Sequence, residues 1–130
     1  MEILIILTWL QIKHWIVDFV IQSTDQIARK GIYGDRVGIS HSLEHGIGTL
    51  AALFVASFYV NGLYVGWIII AAIFDSVIHY HIDYVKIKYG TRDITKPMFW
   101  NQFGLDQMAH QLTYLFLIYI LYWQRSQVTI

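Results

Sequence analysis

The chain has 130 residues, 56% of them hydrophobic and 14% charged, and nine lysines and arginines balance nine aspartates and glutamates. Soluble domains carry about 25% charged residues, so the composition points to an integral membrane protein, and zero net charge excludes the basic field of a nucleic-acid binder. The lack of cysteine excludes disulfides, thiolate metal sites and cysteine nucleophiles.

The first expected helix covers about residues 2–22. It opens with an apolar run, Ile3 to Leu10, and carries Gln11, Lys13, His14, Asp18 and Gln22 in its second half. Without a positive n-region or a small-residue cleavage site, it reads as a retained helix and not a signal peptide. His14, Asp18 and Gln22 recur every four residues and fall on one helical face. Lys13 lies off that face, to snorkel or to pair with an acid. A polar segment follows from Ser23 to Ser40, with a short surface helix expected from Thr24 to Lys30.

The second helix is expected over about 41–60, with Ser40 as N-cap. Its polar residues His41, Ser42, Glu44 and His45 fill the first two turns, and the rest is apolar and small. Asn61-Gly62 reads as a tight turn. The third helix, about 63–86, is apolar in its first half. Its second half places Asp75, His79 and Asp83 a turn apart on one face, which Lys86 rejoins, while His81 lies nearly opposite. In the second polar segment, Ile87 to Gly104, Pro97 is expected to start a short interfacial piece, with Met98, Phe99, Trp100 and Phe103 at headgroup level. The fourth helix, about 105–123, opens with Asp106, Gln107, His110 and Gln111 and then turns apolar and aromatic.

Each apolar stretch is long enough to cross a hydrocarbon core about 30 Å thick. Arg29, Lys30 and Arg36 lie between the first two helices, and Lys86, Lys88, Arg92 and Lys96 between the last two. By the positive-inside rule both polar loops are cytoplasmic and both termini outside. The expected fold is therefore an all-α integral membrane four-helix bundle, up-down-up-down, forming a single transmembrane domain over residues 1–130. A homodimer is expected from so thin a scaffold, with membrane lipids as its surroundings.

This topology sets the polar halves of all four helices at one depth. Four spaced sets result: His14/Asp18, His41/His45, Asp75/His79/Asp83 and Asp106/His110. Histidine and carboxylate four residues apart let one helix offer two ligands to one metal, and metal-binding bundles use inward residues of these types. A lone His–Asp pair in a membrane helix is more often a hydrogen bond or an ion pair. Four coincident sets favour a divalent metal (zinc, manganese, iron or cobalt, as one or two ions), with a proton relay as the competitor. Asp83 or Glu44 would serve as base, and Lys86, Lys30 and Arg92 at the rim would hold a phosphate. Gln22, Gln107 and Gln111 would steady the ligands.

The ordered set Lys13-His14-Trp-Ile-Val-Asp18-Phe-Val-Ile-Gln22, Lys30, His41-Ser-Leu-Glu-His45, His79-Tyr-His-Ile-Asp83-Tyr-Val-Lys86 and Asp106-Gln107-Met-Ala-His110 resembles the domain of unknown function 3307 family, small membrane proteins of bacteria and phages. The resemblance implies a multi-spanning protein of a bacterial inner membrane and carries no activity with it. The His41/His45 pair is similar, over a short stretch, to inner-membrane metal-dependent hydrolases. The leading expectation is a metal-dependent membrane hydrolase acting on a phospholipid or another phosphorylated molecule. The alternatives are proton or divalent-ion transport, and a regulatory membrane protein with a structural metal.

Overall fold

Four long helices and one short one account for the regular structure of residues 1–128, the part of the chain that the computed structural model describes. Helix α1, Glu2–Trp15, runs on into a π-helical turn, Ile16–Val20. Helix α2 is Thr24–Arg29, α3 is Arg36–Ser57, α4 is Val65–Tyr89 and α5 is Pro97–Val128. The π turn is closed by Ile21 N–H donating to Ile16 O at 3.0 Å, a wider ring than the α-helical bond.

Helices α3, α4 and α5 reach further at their polar ends than residue patterning alone suggests, whereas the first helix stops at Val20, short of the expected residue 22. Asp35, not Ser40, caps α3: its carboxylate accepts from Val37 N–H at 2.8 Å, and Arg29 donates to it at 2.6 Å. The Arg29 guanidinium holds the half-buried Asp35 carboxyl below the usual carboxylate range. Ser40 therefore lies inside the helix. Pro97 opens α5, where its missing N–H costs nothing, so the interfacial piece expected around residues 97–103 is the first part of one continuous helix. Helix α2 is started by a reciprocal capping box between Ser23 and Gln26.

The four long helices pack in a ring, α1 against α3, α3 against α4, α4 against α5 and α5 against α1. Neighbours run antiparallel. Asp18 meets His45 while Gln22 meets His41 across α1/α3. Across α3/α4, Ser76 donates to Ser42 O, and a Cβ on Gly46 would lie 3.2 Å from Ala72 O. Lys86 meets Asp106 and Phe74 meets Phe116 across α4/α5. Gln107 meets His14 and Arg125 meets Glu2 across α5/α1. The α3–α4 connection turns at Gly62, whose φ of 79° suits glycine.

The ring has two different interiors. One half is apolar, built on Ile6, Leu10, Leu53, Val60, Leu117 and Leu121. The other is polar, and buries His14, His41, His45, His79, Asp83, Asp106 and His110. The outer surface is apolar over much of its area, with Trp15, Phe19, Ile47, Phe54, Ile69, Ile73, Val77, Leu112 and Tyr119 all exposed. Two helical stretches, Glu2–Val20 and Val65–Tyr89, are long and apolar enough to cross a membrane.

Candidate metal centre

Asp18 is the focus of the polar interior, and the π turn that carries it supplies the local geometry. Its Oδ1 lies 3.0 Å from His41 Nε2, 3.1 Å from His45 Nε2 and 3.6 Å from His79 Nε2. These three nitrogens come from α3 and α4, on two helices that face the π turn. Four nitrogen and oxygen ligands set tetrahedrally at about 2.0–2.1 Å from a zinc ion lie roughly 3.3 Å apart. The spacings around Asp18 are of that size.

A second group adjoins the first through His79. Asp83 Oδ2 is 3.2 Å from His79 Nε2 and 3.3 Å from His41 Nε2, and Asp83 Oδ1 is 3.9 Å from His110 Nε2. Both groups, Asp18/His41/His45/His79 and His79/Asp83/His110, offer one donor atom per residue within 4.8 Å of one another. The imidazoles of His45, His79 and His110 stack, with centroids 3.4 Å and 4.1 Å apart. Both ring nitrogens of His79, and Nε2 of His110, are buried without a hydrogen bond. Buried polar atoms are rarely left so, and a cation among them would satisfy the lone pairs. The donor set therefore fits a divalent metal of the zinc, manganese, iron or cobalt type.

Beside the cluster the hydrogen bonds run in a determined direction. Lys13 Nζ is buried and spends its three donors on Asp75 Oδ2 at 2.5 Å, Tyr114 OH at 3.1 Å and His45 Nδ1 at 3.1 Å. Tyr114 OH, accepting from Lys13, donates to His14 Nδ1 at 2.9 Å, which leaves His14 Nε2–H to donate to Gln107 Oε1 at 3.0 Å. Gln107 Nε2–H then donates to Asp106 Oδ2 at 3.1 Å, where Lys86 also donates at 2.6 Å. Thr49 Oγ–H completes the shell of Asp75 at 2.6 Å.

The expected ligands thus separate into two sorts. Asp18, His41, His45, His79, Asp83 and His110 come together as donors. Asp75 lies apart, in the ion pair with Lys13. His14 sits 3.4 Å from Asp18 Oδ2 but has both ring nitrogens engaged elsewhere. Asp106 stands between Lys86 and His110, 3.5 Å from His110 Nε2. Glu44 is held by Gln26, whose Nε2–H donates to both carboxylate oxygens at 2.9 Å, and reaches to 3.6 Å from His41 Nδ1, the position of a carboxylate that orients a ligand histidine. Lys30, expected at the rim, is buried, with Nζ 2.9 Å from Asp83 Oδ2. Arg92 is exposed, and His81 faces outward, bonded to Val77 O. Lys13, expected to snorkel or to pair with an acid, does the latter with Asp75. Lys30 is the residue whose place residue patterning misses, set at the rim by its loop position and found buried against Asp83.

The sequence model for the family described as "Protein of unknown function (DUF3307)" matches residues 6–130. The chain belongs to that family. No curated protein and no solved structure matches it. What the DUF3307 chain does must accordingly be read from the centre itself. The chain brings four aspartates and five histidines, together with two lysines, into one buried volume at the polar end of the ring.

Proposed function

We propose that the protein is a metal-dependent hydrolase embedded in the bacterial inner membrane, acting from the cytoplasmic leaflet on a phospholipid or a similar phosphorylated amphiphile. The observation that carries this is the convergence of three histidine nitrogens on Asp18 Oδ1 at 3.0–3.6 Å, together with buried nitrogens of His79 and His110 that make no hydrogen bond. Membrane embedding is supported by the inverted distribution of polarity, apolar outside and ionisable inside, which suits lipid as solvent. It is supported too by the lysines and arginines gathered in the two loops at the polar end.

Asp18, His41, His79 and His45 would hold the first ion. Asp83 and His110 would complete that site or begin a second. A bound divalent cation supplies Lewis acidity toward a phosphoryl oxygen and makes water acidic near neutral pH. Where the ion rests on Asp18, His41, His45 and His79 alone, Asp83 would take a proton from water, and Glu44 would fix His41. Lys30 and Asp106 hold their partners in place, and Lys86 and Arg92 offer positive charge at the edge. The test is release of inorganic phosphate or headgroup from lipid vesicles by protein loaded with zinc, manganese, iron or cobalt in turn. Turnover in at least one of these, lost by 100-fold or more in Asp83→Asn, as expected for removal of a general base, supports the reading. A metal-loaded protein inert toward both phosphomonoester and phosphodiester lipids contradicts it.

One observation favours a second reading. Lys13 donating to His45 Nδ1 places the His45 proton on Nε2, facing Asp18, so His45 is a ligand only when that proton moves to Nδ1. A proton-sharing network without metal uses the same contacts. Conduction of protons across the membrane, however, has to pass the apolar half of the ring, where Leu10, Leu53, Val60 and Leu121 fill the interior.

A further inference from the structure

At their polar ends helices α4 and α5 border an outward-facing groove of about 540 Å³. Its walls are Ile78, Ile82, Val85, Leu105 and Ala109, and its inner end is the Lys86–Asp106 pair. A smaller cavity of about 190 Å³ adjoins it, shares Lys86, Gly90 and Gln102 with it, and adds Thr91 and Arg92. Both spaces are lined mainly by apolar side chains, and the smaller one carries two cations, Lys86 and Arg92, in its wall.

We infer that this paired cavity binds a single anionic membrane lipid, its acyl chain in the α4/α5 groove and its phosphate on Lys86 and Arg92. The inference names the substrate class of the proposed hydrolase and rests on that reading. Several features fit such an occupant. The groove has the volume of ligand sites, which run from roughly 300 to 1,000 Å³. Its outer lip is continuous with the exposed apolar surface of Val77, Val85, Leu105, Met108 and Leu112, so a chain enters sideways from lipid without crossing water. Lys86 gives one N–H to Asp106 and has two left for an anion, with its ammonium 4.9 Å from the Phe103 ring. Arg92 is exposed and makes no ion pair with the described residues. Thr91, beside it, is fixed by its N–H donating to Gln102 Oε1 at 2.8 Å. A free phosphate leaves the groove without a use, and a neutral lipid leaves the two cations without one. The head would rest one ion pair from the centre, since Asp106 reaches His110 Nε2 at 3.5 Å.

The test is native mass spectrometry of the full chain in detergent, with and without prior EDTA treatment, against dioleoyl phosphatidic acid, dioleoyl phosphatidylcholine and glycerol phosphate. Phosphatidic acid is expected to be retained about tenfold more strongly than phosphatidylcholine, a difference of about 1.4 kcal/mol, and glycerol phosphate not at all. Ala109→Trp, which fills the groove, and Arg92→Gln, which removes a head contact, should each weaken retention about tenfold. Leu105→Glu, on the exposed lip, serves the same purpose with no effect on the buried core and covers a misfolded Ala109→Trp. Equal retention of the two lipids, or undiminished phosphatidic acid binding in Leu105→Glu and Arg92→Gln, overturns the inference. Selective binding to a chain that holds no metal upholds the lipid site while the hydrolase reading falls. A metal-bearing chain that hydrolyses soluble phosphoesters but ignores phosphatidic acid keeps the hydrolase and overturns the lipid site.

Discussion

Asp75 and His79 sit one helical turn apart and do different work. Asp75 neutralises Lys13 inside the ring, where the two atoms are 2.5 Å apart and both side chains are almost fully covered. Asp75→Asn leaves a buried ammonium without its counter-charge, and removing one partner of a buried pair costs about 3–5 kcal/mol. The expected outcome is a protein that unfolds at markedly lower temperature or denaturant concentration yet still binds metal, since Asp75 lies outside the donor groups. His79→Ala should do the reverse, with bound metal lost and a smaller effect on the metal-free protein. Unfolding curves read beside elemental analysis distinguish the two. The helical period placed Asp75, His79 and Asp83 on one face but not their partners. A stripe fixes direction around its own axis, whereas the choice between Lys13 and a metal depends on the height at which α1 passes α4. For the same reason His14 fell in with the ligands: nothing in its spacing reveals that Tyr114 and Gln107 occupy both its nitrogens.

At the scale of elements, the segments joining the helices do more than connect. Helix α2 folds under the polar end and brings Gln26 to Glu44 and Lys30 to Asp83. Its position depends on the start of α3, which Asp35 fixes by capping Val37 and binding Arg29. Asp35→Ala should therefore fray the first turn of α3 and loosen α2, read as faster amide exchange at Val37 and through residues 24–30. The effect has a defined pH window. The folded-state pKa of Asp35 lies below its ordinary value of about 3.9, so its stabilisation is complete above that value and is lost as pH falls through the depressed folded-state pKa. Wild type and Asp35→Ala should differ in stability at neutral pH and converge in acid. A constant difference across that range would contradict the assignment. The apolar runs announced the four long helices, whereas their polar ends were legible only in part. Ser40 and Asp35 are both acceptable caps by residue type, and the Arg29 contact that favours Asp35 is tertiary. The π turn at Ile16–Val20 has no sequence mark, because it is set by how Asp18 meets α3 and α4.

At the scale of the molecule, the protein is a ring of helices with one apolar and one ionisable interior, wrapped in an apolar exterior. Soluble bundles place these properties the other way round. The all-helical character was legible because composition and period both act locally, and the gathering of His41, His45, His79, Asp83 and His110 was expected from setting the polar halves of the helices at one end. The α4/α5 groove was not, since it depends on how two helices are set against each other and not on any residue pattern. The central claim is that the converging nitrogens of His41, His45 and His79 and the carboxylate of Asp18 hold a divalent cation. Elemental analysis of the purified protein, paired with its unfolding temperature before and after EDTA, tests this most directly. The account predicts one or two equivalents of a transition metal per chain and a fall in unfolding temperature on chelation that is reversed by adding the metal back. A folded, metal-free protein whose stability is indifferent to added metal would contradict it.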